Sequence, residues 1–287
     1  MSFTVNPLIS VVIPTYKRPD DLKKCLISLG EDVQFDAHIY EIIVTDDSKS
    51  DDSKILVEKK FPNVSWGRGK QNGPAANRNA GVKRAKGEWI VFIDDDCIAD
   101  KYLITSYHNA IQDNPGAILF EGRIYPDRPR KTWAECCPEN SNGNMFWTSN
   151  LCVKKEVFYK VGGFDERFRI AYEDIDFAHR IHKGGFKTKF IKDASACHPW
   201  RTLKIEGNNW KPRGFELSEL KLFIKKHPDA KNHNSPQVYL RHLIRMLSMD
   251  MIKCLLIFKA RGLGVLLNQI VTTTLALFIT LQLKFDN

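Results

Sequence analysis

Short β-branched segments alternate with helical segments through the first 121 residues, and this alternation constrains the fold more than any other feature of the sequence. Four apolar segments have the length and composition of buried strands, and they cover residues 10–13, 41–45, 89–93 and 117–121. Between them, Pro19 opens a helical segment that stops at Gly30, and Pro74 opens another that stops at Gly87. The sequence therefore predicts an α/β fold with a mixed, mostly parallel sheet flanked by helices.

The pattern becomes less regular after residue 122. Residues 123–144 are polar and rich in turn residues, which predicts a long loop, and loops of this length are often functional. A strand is predicted over residues 146–153, and a helix over residues 172–183 that ends at two glycines. We expect one domain over residues 1–212, with halves at about 1–115 and 116–212, followed by a helical tail over residues 213–287.

The positive charge of the chain is concentrated near its C-terminal end. The net charge is +9, yet residues 1–198 carry 29 Lys and Arg against 28 Asp and Glu. Residues 199–261 carry 13 against 5. This asymmetry predicts that the tail meets an anionic surface.

The tail also has the apolar content of a membrane-associated segment. Residues 238–260 mix apolar side chains with four cations, and residues 262–283 carry no formal charge. Three structures fit this pattern: helices lying on the membrane surface, one transmembrane helix, or a helical hairpin packed in a soluble protein. We favour attachment to an anionic membrane surface through residues 213–287 by either of the first two.

The cysteines and the N-terminus predict a cytoplasmic location. The seven cysteines contain no CxxC pair, so they indicate buried thiols in a reducing compartment rather than disulfides or a thiolate zinc site. The first residues lack the basic and apolar regions of a signal peptide. We expect a protein attached to the inner face of the cytoplasmic membrane.

Two acidic clusters directly follow predicted strands. Asp94-Asp95-Asp96 follows the strand at residues 89–93, and three adjacent carboxylates need a compensating charge, such as a divalent cation with phosphate oxygens. Asp46-Asp47 follows the strand at 41–45, so both clusters should meet at the carboxyl edge of the sheet. The alternatives are a turn whose aspartates cap a helix, and a solvated turn.

A third acidic pair, Glu173-Asp174, opens the helix predicted over residues 172–183. The helix N-terminus favours an ionised carboxylate that can accept a proton. Ile175, Ala178 and Ile181 recur at helical spacing and are predicted to face the core. The alternative is that both acids occur at the helix N-terminus without a catalytic role.

Four ordered motifs resemble one enzyme family. They are SVVIPTYKR, IIVTDDS, GPAANRNAG running into GEWIVFIDDDC, and GGFDERFRIAYEDIDFAHRI. Over residues 9–198 they resemble the family 2 glycosyltransferases with the GT-A fold, of the bacterial inverting type that builds capsules and O-antigens.

The resemblance implies roles for individual residues. The implied donor-binding residues are Pro14, Thr15, Tyr16, Arg18, Asp46, Asp47, Arg78, Asp94 and Asp95. Asp94 and Asp96 match the outer carboxylates of a DxD motif, with Asp96 the direct ligand of Mn²⁺ or Mg²⁺ and His198 completing its coordination. Asp174 matches the catalytic base, with Glu173 as the alternative.

The activity implied by the resemblance is the transfer of a sugar from a nucleotide-diphosphate sugar to a glycan or lipid-linked acceptor. A UDP-linked hexose or N-acetylhexosamine is the expected donor. A metal-dependent nucleotidyltransferase is the alternative enzyme. A basic nucleic-acid-binding protein is a weaker alternative, since it gives no reason for the acidic clusters, and no nucleic-acid partner is expected. The sequence indicates no oligomeric state.

Overall fold

The structure, a computed structural model, describes residues 8–34, 39–203, 214–230 and 235–285. The chain divides into two compact units. The first contains residues up to Asp127 together with Pro138–Pro199, and the second contains Arg128–Cys137 together with the chain from Trp200 onward. The sequence-based boundary at residue 212 lies outside the described residues. Within them, residues 128–137 group with residues just after 200 rather than with the first unit.

The strands and helices follow each other as a mainly alternating α/β series. The strands are β1 (Ile9–Thr15), β2 (Tyr40–Asp46), β3 (Val64–Arg68), β4 (Trp89–Ile93), β5 (Ile98–Ala99), β6 (Leu119–Pro126), β7 (Glu135–Cys136), β8 (Asn150–Lys154), β9 (Thr188–His198) and β10 (Arg201–Thr202). The helices are α1 (Pro19–Ser28), α2 (Asp52–Lys60), α3 (Pro74–Arg84), α4 (Leu103–Asp113), α5 (Lys155–Lys160), α6 (Glu173–Lys183), α7 (Gly214–Lys226), α8 (Pro236–Arg245), α9 (Met251–Leu256) and α10 (Leu263–Phe285). A π-helical turn, Met246–Asp250, joins α8 to α9.

The first unit is built on an eight-stranded sheet in the order β3-β2-β1-β4-β8-β6-β9-β5. Strands β3, β2, β1 and β4 pair in parallel, and β6 pairs in parallel with β9. Strand β8 runs antiparallel to both β4 and β6, and β5 runs antiparallel to β9. The sheet is therefore mixed and mostly parallel, as the sequence predicts.

Alternate residues of the central strands pack into two cores on opposite faces of the sheet. Val11 and Ile13 of β1 lie in the larger core, beneath α1, α2 and α4. Val12 of β1 and Phe92 of β4 lie in the other core, beneath α3, α5 and α6. Strands covered on both faces are apolar along their whole length, which explains the continuous β-branched runs.

The strand register brings the acidic clusters to one edge of the sheet. Thr15 at the end of β1 pairs with Asp46 at the end of β2, and β4 lies on the other side of β1. The turns after β1, β2 and β4 are therefore neighbours at the carboxyl ends of the parallel strands, the usual ligand-binding edge of such sheets.

The second unit is held together by a small core and an arginine among aromatic rings. β7 and β10 pair antiparallel, and Trp133 packs with Met246, Cys254 and Leu266. The guanidinium of Arg130 lies 4.6 Å from the ring centre of Trp133. It also donates a hydrogen bond of 2.6 Å to the backbone carbonyl oxygen of Trp133. Part of the segment predicted as a long functional loop, residues 128–137, is thus integral to this unit.

The second unit also exposes a row of large apolar side chains along α8, the π-helical turn and α9. We call this set the apolar row, and it consists of Leu240, Ile244, Leu247, Met249, Ile252, Leu255 and Leu256. Helix α10 is the one helix in the described part of the chain that is long and apolar enough to cross a bilayer, over Leu263–Leu283 with a mean hydropathy of 1.7. These are criteria of length and composition alone.

Candidate active site

The three carboxylates that follow β4 point to three different sets of partners. Asp94 accepts a hydrogen bond of 2.7 Å from Arg78, and its side chain is 27% exposed, the most of the three. Asp95 turns back towards β1, where Thr15 donates to it at 2.7 Å and Arg18 at 3.1 Å. Burial raises the pKa of Asp95 to about 6, with Arg18 and Thr15 opposing that shift.

Asp96 lies against His198, which ends β9. His198 Nε2 lies 3.3 Å from Asp96 Oδ2, and both side chains are buried. His198 Nδ1 lies 2.8 Å from the carbonyl oxygen of Pro199. A carbonyl can only accept, so Nδ1 carries the proton in the neutral ring and the Nε2 lone pair faces the carboxylate. A carboxylate oxygen and an imidazole lone pair at this distance repel each other, and a cation bound by both would offset that repulsion.

The surroundings of Asp96 and His198 have the donor chemistry of a cation site. Ligand atoms of Asp96, Cys97 and His198 all lie within 4.8 Å of one another. The bond from Nδ1 to a backbone carbonyl fixes ring orientation in the manner typical of metal-ligating histidines. A carboxylate suits Mn²⁺ or Mg²⁺, and an imidazole is a ligand for divalent transition-metal ions, so Asp96 with His198 fits a divalent cation such as the resemblance implies.

Arg78 connects the acidic run to the start of α6. The side chain comes from α3 and is only 6% exposed. Its Nη2 donates a hydrogen bond of 2.7 Å to Asp94, and its Nη1 donates one of 2.9 Å to Glu173. The structure thus brings together two motifs that are about 80 residues apart in the sequence.

Glu173 and Asp174 open α6 in two different environments. Glu173 is buried against Arg78, and burial together with the neighbouring Asp174 raises its pKa, with Arg78 opposing that shift. Asp174 is half-buried and accepts a 2.8 Å hydrogen bond from the amide of Ile175. Burial also raises the pKa of Asp174.

The prediction of which residues of α6 face the core is wrong at one residue. Ala178 and Ile181 are buried as predicted, but Ile175 is 41% exposed. Asp176 takes the buried position, where it accepts a 2.6 Å hydrogen bond from Arg180 one turn later. A charged residue that carries its own partner can replace an apolar one on a core face, which hydrophobic spacing does not reveal.

Asp46 and Asp47 order the turns around them. Asp46 accepts hydrogen bonds from the Ser48 amide at 2.7 Å and from the Ser53 hydroxyl. Asp47 accepts from the amides of Gln71 and Gly73, each at 2.8 Å. Both carboxylates are buried, and Asp47 thereby holds the loop that leads into α3.

The residues at the end of β1 and directly after it lie at the same edge of the sheet. Pro14 and Thr15 end the strand, whereas the Tyr16 ring is 54% exposed. Lys17 has φ of +57°, which turns the chain towards α1, and Arg18 then reaches Asp95. Of the residues predicted to border the nucleoside, Tyr16 offers the largest exposed ring.

Several polar residues of this region were not singled out from the sequence. Asn77 donates to the carbonyl of Thr45 at 2.9 Å and to that of Thr15 at 3.3 Å, which ties β1 and β2 to α3. Asn79 bonds both the amide and the carbonyl of Phe164. Glu166 accepts 2.7 Å from Lys70, and this contact lowers its pKa despite partial burial. The sequence signals for these contacts were the polar residues within GPAANRNAG and, for Glu166, within GGFDERFRI.

Comparisons with known proteins agree with this architecture. A model of glycosyl transferase family 2 matches residues 10–176. Glycosyltransferase AglE of Haloferax volcanii is 26% identical over 209 residues, which cover 68% of this chain and 68% of AglE. The GalNAc(5)-diNAcBac-PP-undecaprenol beta-1,3-glucosyltransferase of Campylobacter jejuni is 36% identical over 99 residues, which cover 31% of this chain and 30% of that protein.

Solved structures show the same fold. The crystal structure of S. aureus TarS 1-349 matches with a TM-score of 0.58 at 16% identity, covering 97% of this chain and 92% of that one. A likeness at this identity concerns the fold, which is GT-A-like. The family match is independent of it and spans more than half of the chain. This protein is therefore a glycosyltransferase and belongs to glycosyl transferase family 2.

Proposed function

We propose that this glycosyltransferase is an inverting, cation-assisted enzyme that moves a hexose or N-acetylhexosamine from a UDP-sugar to a glycan or lipid-linked acceptor. The observation that carries the proposal is the bridge from Asp94 through Arg78 to Glu173. It puts the acidic run after β4 beside the N-terminus of α6. A donor diphosphate at the acidic run and an acceptor hydroxyl at Asp174 would then occupy adjacent parts of one site.

Asp174 is the better candidate for the base. Glu173 is nearly fully buried and its carboxylate is engaged by Arg78, whereas Asp174 is more exposed. The raised pKa of Asp174 makes it a stronger proton acceptor than an ordinary aspartate, and the helix N-terminus stabilises the ionised form.

The chemistry at Asp174 is a single displacement. The acceptor oxygen forms a bond to the anomeric carbon while the bond from that carbon to the donor diphosphate breaks, and the hydroxyl proton passes to Asp174. Because attack and departure occur on opposite faces of the sugar, the anomeric configuration inverts. The nucleoside diphosphate leaves with its electron pair.

Asp94, Asp96 and His198 would hold a Mn²⁺ or Mg²⁺ ion. When bound, such an ion supplies positive charge that neutralises the departing diphosphate. Asp47 accepts two backbone hydrogen bonds, and a carboxylate has about four acceptor positions, so it retains capacity for a uracil N–H or a ribose hydroxyl.

The proposed acceptor and location follow from the second unit and from a relative. The Campylobacter jejuni relative is named for a substrate linked to PP-undecaprenol, which supports a lipid-linked acceptor. The apolar row with Arg241, Arg245 and Lys253 nearby supports attachment to an anionic bilayer, at the cytoplasmic face of the membrane. Surface attachment and a transmembrane α10 are both compatible with these features.

A panel of UDP-sugars with Mn²⁺ or Mg²⁺ and lipid-linked acceptors tests the proposal. We expect UDP release and a product of inverted configuration by NMR. Asp174→Asn should lower turnover by about 10²–10⁴-fold while UDP binding persists, and Asp193→Asn, at an exposed site on β9, should leave turnover unchanged. Near-normal turnover of Asp174→Asn would exclude it as the base, and release of pyrophosphate would indicate a nucleotidyltransferase.

A further inference from the structure

Arg78 is placed where it can set the geometry between the two acidic motifs. Its guanidinium is buried, and each terminal nitrogen donates to a carboxylate from a different structural element. One carboxylate, Asp94, follows β4 in the sheet, and the other, Glu173, opens α6. The bridge thus joins the end of a central strand to the first turn of the helix that carries Asp174.

The contacts of Arg78 argue against direct nucleotide binding by this residue. The resemblance implied such a role, but the side chain is 6% exposed and both terminal nitrogens already donate to carboxylates. Nη1 and Nη2 each use one of their two N–H groups in these bonds. Among the described residues, Nε has no hydrogen-bond acceptor, and that atom is buried. Because the side chain is so little exposed, a nucleotide could contact the guanidinium only if neighbouring side chains moved.

The position of Asp174 depends on the residue before it. Tyr172 enters α6 with φ of +69°, a left-handed conformation that a tyrosine adopts only when its surroundings hold it there. The Arg78–Glu173 contact fixes the next residue, and therefore the backbone that orients the Asp174 carboxylate.

We infer that Arg78 is a positioning residue that sets the distance from the cation-binding carboxylate Asp94 to the Asp174 base. The inference rests on the proposed function. Arginine suits this position because its planar fork donates to two carboxylates at once, whereas the single ammonium of lysine cannot reproduce that geometry.

Substitution of Arg78 separates positioning from nucleotide binding. Arg78→Ala should lower kcat by about 10²-fold, because a misplaced base loses the near-attack arrangement, and calorimetry should show no loss of UDP affinity. Arg78→Lys should recover only part of kcat. Added guanidinium should raise kcat of Arg78→Ala, a response that general destabilisation would not produce.

Arg180→Ala is the matched control, because Arg180 is a partly buried arginine that pairs with Asp176 within α6. Arg180→Ala should lower the melting temperature, and added guanidinium should not raise its kcat. The inference is overturned if Arg78→Ala retains kcat and loses UDP affinity, since Arg78 would then bind the nucleotide. If Arg78→Ala does not fold, Glu173→Gln replaces it as the test. Glu173→Gln should lower kcat less than Asp174→Asn does, and it should retain UDP affinity. An equal loss of UDP affinity in Glu173→Gln and Asp174→Asn would overturn the inference.

Hydrogen exchange separates this inference from the proposed function. Amides of residues 173–176 should exchange faster in Arg78→Lys than in the wild type, whether or not a donor has been found. Absence of transfer from every donor, with faster exchange, would reject the proposed function and leave the bridge intact. Unchanged exchange in those residues would reject the bridge.

Discussion

Gly73 lies directly against the backbone carbonyl of Arg169, so closely that a β-carbon at position 73 would collide with it. Gly73 precedes α3 with φ of +92°, and its amide donates to Asp47. Arg169 lies in residues 164–172, the segment that leads into Glu173 and Asp174. The contact therefore joins the Asp47 turn to the approach to the proposed base.

Gly73→Ala should be more destabilising than an ordinary glycine replacement. With φ of +92° and ψ of 177°, Gly73 occupies a backbone region that is essentially restricted to glycine and costs another residue about 1–3 kcal/mol. The collision with Arg169 adds to this cost. Gly185→Ala is the control for a positive φ without a collision, because Gly185 has φ of +67° with no atom within 4 Å of an added β-carbon. Denaturant unfolding measures both variants, and equal losses would show that the collision is relieved without cost.

His198→Ala should weaken Mn²⁺-dependent UDP binding by at least about tenfold, because it removes an imidazole whose orientation is fixed by the Pro199 carbonyl. Titration calorimetry with and without Mn²⁺ measures the effect. His108→Ala, on α4, is the control and should bind as the wild type does. Equal Mn²⁺ dependence in both variants would exclude His198 from the cation site.

Asp95→Asn should differ from substitution of its two neighbours. Its carboxylate is held by Thr15 and Arg18 at the end of β1, away from His198. We therefore expect Asp95→Asn to retain Mn²⁺ binding within about threefold of the wild type, while Asp96→Asn loses at least about tenfold. The same calorimetric titration compares them, and a loss of Mn²⁺ binding in Asp95→Asn would contradict the assignment.

Glu135 should make the stability of the second unit depend on acidity. Hydrogen bonds from Arg128 and from the Lys131 and Thr132 amides lower the pKa of Glu135 to about 2, from an ordinary value near 4.5. A lowered pKa stabilises the folded state above the ordinary value, and this stabilisation is lost as pH falls towards 2. Glu135→Gln should therefore melt below the wild type at pH 7, with the difference shrinking between pH 4.5 and 2.

Glu156→Gln is the control for Glu135→Gln, because Glu156 is exposed and its carboxylate lies 3.7 Å from Lys154 Nζ, farther than in a hydrogen bond. Its melting temperature should follow that of the wild type across the same range. A difference between wild type and Glu135→Gln that does not change with pH would show that the ion pair is not the source of the stabilisation.

Charges placed in the apolar row should release the protein from vesicles. Leu247 and Ile252 are both 57% exposed. Replacing both with Glu removes apolar area that a bilayer would cover and adds repulsion from anionic lipid, so affinity should fall at least about tenfold. Sedimentation with phosphatidylcholine–phosphatidylglycerol vesicles measures it. The charge-matched Asn109→Glu/Gln112→Glu variant on α4 should bind normally, and equal retention of both variants would exclude the apolar row as the contact.

Much of the central sheet could be predicted from the sequence. The predicted segments at β2 and β4 are confirmed to within one residue at each end, and β1 begins one residue earlier and ends two residues later than predicted. Strands buried on both faces leave a continuous apolar signature. Strand β3, which follows α2, was not predicted. The long strand β9 was not predicted either, because its buried and exposed residues alternate irregularly. The strand predicted over residues 146–153 begins only at Asn150, because residues 147–149 form a turn.

The sequence by itself determined the acidic clusters, their positions at strand and helix ends, and the family. Those features depend on local composition and spacing, which the chain carries in one dimension. Tertiary structure decided which carboxylate meets which partner: Asp94 with Arg78 and Glu173, Asp95 with Thr15 and Arg18, and Asp96 with His198. Three adjacent aspartates look equivalent in the sequence, and only the packing of distant elements around the end of β4 gives each its own charge environment.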